Sequence, residues 1–235
     1  MLKRIITLVT VFLTGLTISG CAVRVIWPGT QVKLDPAFWE DKSAPVAIAL
    51  VPSPLEGHIY RFDTKYPGSI TEIDDAGDTG DLVQFVRRYD FSMIKDLKEI
   101  FSEELTKRGM KIVPFDEKTL SEIRHAQQVQ NTEDVNALLN RQTGAAYLVI
   151  FSVKPYGIHE DIVLPWVRRY SGIIDITGKL IDLRTSAVKW EHITAIKEVK
   201  VSGNWDQPPD YPNIAQAIHT VTLSAMHDLQ KSFFK

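Results

Sequence analysis

The chain has 235 residues, of which 27 are basic and 29 acidic, giving a formal net charge of −2, and 44% of its residues are hydrophobic. That length and apolar content support one substantial core, and the even charge balance, with no basic stripe, argues against a nucleic-acid-binding protein. A single cysteine, Cys21, excludes an internal disulfide framework and a thiolate metal site.

The amino end has three parts. Lys3 and Arg4 form a positive n-region. Ile5 to Leu16 is an apolar run interrupted by Thr7, Thr10, Thr14 and Gly15, too short for a permanent span of about 20 residues. Ile18-Ser19-Gly20-Cys21 then resembles the lipobox of bacterial lipoprotein precursors. Ser19 and Gly20 are small enough for an extended chain to enter a peptidase site, and the Cys21 thiol can accept a diacylglyceryl group. This reading makes residues 1–20 an export signal cut between Gly20 and Cys21, residues 21–44 a lipidated tether, and residues 45–235 one periplasmic domain. Residues 1–20 hold two basic side chains and no acid, so the processed chain carries 25 basic and 29 acidic residues, a net charge of −4.

Val46 to Val51 is continuously apolar between Pro45 and Pro52, the pattern of a buried first strand. Residues 52–90 are rich in turn formers and read as one long connection. Asp90 is a good N-cap for a helix carrying Ile94, Leu97, Phe101 and Leu105 on one face and closing at Gly109. Met110 to Pro114 reads as a short strand. A weaker helix is expected around Leu120, Ile123 and Ala126, and a firmer one from Thr132 to Gly144 with Val135, Leu138 and Leu139 on its apolar face. Ala145 to Val153 is apolar on both faces and is expected at the centre of the sheet. Tyr170 to Leu183 and Ala187 to Val201 alternate as strands about a turn at Arg184-Thr185-Ser186. Ile214, Ile218, Val221, Ala225 and Leu229 mark a long C-terminal helix. Helical crossovers imply parallel pairing in the first half, and short turns imply an antiparallel meander in the second. The expected fold class is α/β (α+β): a single mixed β-sheet of about five strands covered by helices, ending in the long helix.

Three segments carry a family resemblance. Leu97 to Gly109 resembles a helix ending in a Lys/Arg-Gly signal. Gly144-Ala145-Ala146-Tyr147-Leu148-Val149 resembles the entry to a central strand, and Leu180-Ile181-Asp182-Leu183-Arg184-Thr185 with Trp190 resembles a hairpin closed by a Trp. Together they are similar to the fold shared by the curli-secretion lipoprotein, the amino-terminal domain of the translocation protein TolB, the Pel-polysaccharide export lipoprotein and lipoprotein activators of peptidoglycan synthases. The resemblance implies an accessory protein of envelope assembly or secretion, acting through envelope partners and as a homo-oligomer rather than as an enzyme. It also implies a place at the outer membrane, facing the periplasm, because Ala22 and Val23 lack the Asp-type retention signal.

The residues themselves offer little catalytic chemistry. There is no G-x-S-x-G, H-E-x-x-H, phosphate loop or dinucleotide fingerprint, and no metal or cofactor is expected. His159-Glu160-Asp161 reads as a solvated loop, His192 as cross-strand packing, and His219 and His227 as surface. The one echo is Val86-Arg87-Arg88-Tyr89 against Val167-Arg168-Arg169-Tyr170, each after an aromatic residue, Phe85 or Trp166. Guanidinium pairs beside aromatics suit an acidic partner, so Arg87, Arg88, Trp166, Arg168, Arg169 and the loop residue Trp205 are the candidate partner-binding residues. The alternative is a periplasmic glycan- or lipid-binding lipoprotein whose pocket is framed by residues 52–90 and 154–169. Lipidation at Cys21 is tested by Cys21→Ser, which removes the thioether-forming atom. Metabolic palmitate labelling and membrane retention should both be lost, and labelling that persists contradicts the assignment.

Overall fold

The computed structural model describes residues 31–51, 56–62, 70–73, 80–115, 132–164, 167–194, 197–205 and 207–235. The signal segment, Cys21 and the helix expected around Leu120–Ala126 lie outside these residues. The fold is the expected mixed α/β type with a long C-terminal helix, but the sheet has eight strands where about five were expected. In chain order the elements are β1 (Pro45–Val51), β2 (His58–Phe62), β3 (Ile70–Ile73), α1 (Gly80–Arg88), α2 (Asp96–Lys107), β4 (Lys111–Ile112), α3 (Thr132–Thr143), β5 (Tyr147–Leu164), β6 (Val167–Asp182), β7 (Ala187–Ile193), β8 (Lys197–Lys200) and α4 (Pro212–Phe234).

Most of the added strands come from the stretch expected to be a connection. Within residues 52–90 the chain forms β2, β3 and α1. These are four- and five-residue strands and a nine-residue helix, too brief for a period to stand out among the turn formers. α1 buries Leu82, Val83 and Val86.

The ribbon of β5 and β6 is the spine. The two strands pair antiparallel from Tyr147↔Asp182 to Leu164↔Val167. β5 is parallel to β1 from Tyr147 to Ser152, shifts register between Val153 and Tyr156, and is parallel to β2 from Gly157 to Glu160. On the other side β6 pairs with β7 over Thr177–Asp182 and with β8 over Ser171–Ile174. Each long strand therefore has two different neighbours, one for each half. The parallel first half and antiparallel second half follow the expected topology.

Strand alternation distributes side chains between two cores. Val46 and Ile48 of β1, with Tyr147, Val149, Phe151 and Val153 of β5, meet α1, α2 and α4 in the larger one. Ala47, Ala49 and Leu148 face the smaller one with Leu139 and Phe115. Burial on both faces explains the unbroken apolar runs of β1 and early β5. On α3, Leu139 is buried as expected, whereas Leu138 is exposed and Asn136 is buried in its place on the inner side. α4 lies close over β6 because Gly172 carries no side chain: a Cβ there would sit 2.6 Å from the Ala217 backbone.

The tether expected over residues 21–44 does not extend to residue 44. Val32 forms a two-way backbone bridge with Glu191 of β7, and the Asp35 N–H donates to the Lys189 carbonyl at 3.0 Å. Phe38 is buried, edge-on to Tyr147 and Phe233. An aromatic anchor of that size orders the segment through the area it removes from water.

Candidate functional site

The far end of the β5–β6 hairpin combines buried charge, an open cleft and exposed apolar residues. Its geometry begins with register. Glu160 on β5 stands opposite Arg61 on β2 and opposite Tyr170 on β6. Cross-strand partners project from the same face, so three polar groups meet in one row. Arg168, two residues before Tyr170, lies on that face as well.

The Glu160 side chain is only 2% exposed. A carboxylate at that depth needs partners for its charge and its lone pairs. Arg61 pairs with Oε2, while Arg168 lies 3.2 Å from Oε1 and the Tyr170 hydroxyl donates to Oε1 at 3.1 Å. Two guanidinium groups on one carboxylate leave the cluster with one excess positive charge. Burial, then the neighbouring Glu160 charge, pushes Tyr170 well above the ordinary phenol range and keeps it a neutral donor. On the opposite face His159 is buried, with Nδ1 3.1 Å from Glu198 of β8. The solvated loop expected at His159-Glu160-Asp161 is therefore a strand. Only Asp161 of the three is exposed.

Beside this cluster lies a cleft of about 320 Å³. Arg168, Arg169 and Lys200 supply its positive side chains, and Asp161 and Glu198 its acids. Trp205 forms one wall, its ring 4.6 Å from that of Tyr170 and tilted by 55°. Beyond the cleft, Ile162 is 45% and Val163 42% exposed. Val163 is the extra residue of a register shift between Ile162 and Leu164, so the hairpin end carries two adjacent exposed apolar side chains at an irregularity of the ribbon. The register Ile162↔Arg168 and Asp161↔Arg169 places apolar and cationic groups next to one another.

The structure thus gathers Arg168, Arg169 and Trp205 at one place. Arg87 and Arg88 end α1 as exposed residues and do not line this cleft, so the two Arg-Arg-Tyr segments sit on elements of different kinds and form no repeated site. Trp166, Gly20 and Cys21 lie outside the described residues. Residues 154–164, expected as a loop framing a pocket with residues 52–90, belong to β5, and Asp161 of that strand lines the cleft together with residues of β6, β8 and the stretch 201–205. Arg61 and Lys200 were not picked out from sequence, and Glu160 and Tyr170 were noted only within His159-Glu160-Asp161 and Val167-Arg168-Arg169-Tyr170, not as partners. A regular register run back from Leu164↔Val167 would place Glu160 opposite Ser171; the extra residue at Val163 is what brings it opposite Tyr170.

A larger cleft of about 500 Å³ lies near the end of α4. Its arginine, Arg108, stacks 5.0 Å over Trp39 and 5.1 Å over Phe234 and donates to the Phe234 carbonyl, which binds α4 to α2. That is packing chemistry. Among the described residues no group of three or more His, Cys, Asp or Glu side chains could hold a metal ion. No helix among them is long and apolar enough to cross a membrane.

No protein-family model and no curated relative matches the sequence. Among solved structures the chain is similar to lipoprotein GNA1162 from Neisseria meningitidis, at 13% identity and TM-score 0.33 over 78% of this chain and 99% of that one. It is similar to protein XCC0632 from Xanthomonas campestris, at 12% identity and TM-score 0.37 over 86% and 90%. It is also similar to the PelC dodecamer from Paraburkholderia phytofirmans, at 12% identity and TM-score 0.28 over 85% and 96%. At these TM-scores the likeness is too loose to carry a function or an assembly across.

The buried cluster makes a stability prediction. Glu160→Ala leaves two guanidinium groups facing each other. Because both arginines are partly exposed, the loss should be about 2–3 kcal/mol, below the full value for a buried pair. Asp161→Ala, one residue away and exposed, should shift the urea midpoint little. Equal midpoints for the two variants would contradict the role given to Glu160.

Proposed function

We propose that the protein is a lipid-anchored accessory protein of the bacterial envelope, held at the outer membrane through Cys21 and facing the periplasm. It acts in envelope assembly or secretion through protein–protein contacts rather than through catalysis. The observation that carries this reading is the hairpin end, where Ile162 and Val163 are both exposed and Arg168, Arg169 and Lys200 line the neighbouring cleft. Exposed apolar residues rimmed by charge are the usual makings of a docking surface.

The placement of the amino end supports the same reading. The described chain begins at Gln31, and Val32 lies in the row of Glu191 and Lys179. Lys179 is 12 residues along β6 from Val167, roughly 40 Å at strand spacing. Ten peptide steps separate Cys21 from Gln31, a reach of at most about 35 Å. The docking end therefore stands apart from the point where the anchored segment joins the sheet.

Charge reversal tests the contact, but not at every arginine. Arg168→Glu would set a second carboxylate beside buried Glu160 and destabilise the domain, so the informative change is Arg169→Glu, at an exposed position. Crosslinked envelopes containing the full chain should yield a partner, or a second copy of the chain, and Arg169→Glu should weaken that capture without moving the urea midpoint. The cleft wall formed by Trp205 on Tyr170 favours one rival, a glycan-binding module. Capture unchanged by Arg169→Glu, together with retention of the protein on a soluble glycan, would replace the protein-contact reading with that one.

A further inference from the structure

The hairpin end also defines the chemistry of what it binds, an inference that rests on the contact reading above. The ribbon there sets exposed apolar side chains beside guanidinium groups. Ile162 stands opposite Arg168, Asp161 stands opposite Arg169 on the other face, and Val163 follows at the register shift before Leu164. The cleft between Arg169, Lys200 and Trp205 is too small for a folded element, at about 320 Å³, and large enough for one or two side chains.

Charge decides which side chains. Within the cluster beneath the cleft, two arginines face the single carboxylate of Glu160. The Arg168 guanidinium is thereby held against the Glu160 carboxylate while also lining the cleft. Arg169 and Lys200 add two more cations. Of the two acids on the lining, Glu198 is paired with His159 and Asp161 stands opposite Arg169. The local excess is positive, although the processed chain as a whole is negative. A guanidinium held in place by a buried partner binds an incoming carboxylate with less ordering cost than a mobile one.

We propose that this cleft receives an acidic residue of an extended protein segment, with a neighbouring apolar side chain of the same segment resting on Ile162 and Trp205. An acidic saccharide would answer the cations but leave Ile162 and Val163 exposed to water. A segment that alternates acidic and apolar residues covers both. The complementarity is one of sign and of apolar area, so charge reversal should abolish binding rather than shift it slightly.

The test uses the full chain in its native envelope, with a photo-crosslinking amino acid replacing Ile162 and, as a control, replacing Leu223, which is 47% exposed on α4. Light should attach the probe at position 162 to a protein segment carrying Asp or Glu within about three residues of the linked site, the reach of one extended side-chain repeat. Adding Lys200→Glu or Arg169→Glu should reduce that product at least about five-fold, as expected for a contact steered by charge. The proposal is overturned by linkage to a segment without acids, by a product indifferent to both reversals, or by attachment to a glycan or lipid. If position 162 links no more than position 223 while general crosslinking still captures a partner sensitive to Arg169→Glu, this inference fails and the contact reading stands. If neither method captures a protein, both fail.

Discussion

An 18-residue strand paired along most of its length with a 16-residue one is the constraint on which the rest of this fold depends. No single neighbour covers such a ribbon. β1 and β7 flank one half, and β2 and β8 the other. The near half is sealed by α4, α2 and the Phe38 anchor, and its interior is mainly apolar, with Thr194 and Thr222 buried through hydrogen bonds. The far half carries Glu160 and His159 in buried positions, and beyond them Asp161, Ile162 and Val163 are exposed.

That difference between the halves has an energetic side. Dispersion and apolar burial hold the near half, where Trp190, Phe101, Phe151 and Phe233 interlock edge to face. At the far half the sheet is fastened by Arg61, Arg168 and Tyr170 converging on one carboxylate. A buried ion cluster of this kind adds little net stability over an apolar core, but it tolerates few alternative arrangements. It fixes the directions of the cleft side chains, which is what a recognition surface needs.

Much of the near half was legible in the sequence. The two-faced apolar runs of β1 and early β5, the stripe of α4, and the helix stops at Gly109 and Gly144, both at positive φ, correspond to elements with strong local signals. The far half was not. Pro155 and Gly157 in Lys154-Pro155-Tyr156-Gly157 look like the end of a strand, yet β5 passes through a register shift there and changes neighbours. His159-Glu160-Asp161 looked solvated because composition alone cannot show that Arg61, nearly a hundred residues earlier, supplies the compensating charge. Residues 31–44 looked like a tether for a similar reason: the burial of Phe38 depends on Tyr147 and Phe233, distant in sequence.

The functional account joins two ends of one ribbon, with an anchored chain entering beside β7 and a charged, apolar-tipped hairpin about 40 Å along the sheet. Its central claim is that the hairpin end stands away from the membrane that holds Cys21. Cys21 is the sole cysteine, so in a chain acylated there one introduced cysteine can be labelled cleanly. The direct measurement is quenching of a fluorophore by spin-labelled lipid headgroups in vesicles carrying the full lipidated chain, with the fluorophore placed through Lys33→Cys or Val163→Cys. The account predicts strong quenching at position 33 and little at position 163. Quenching stronger at position 163 than at position 33 would place the hairpin on the bilayer and contradict it.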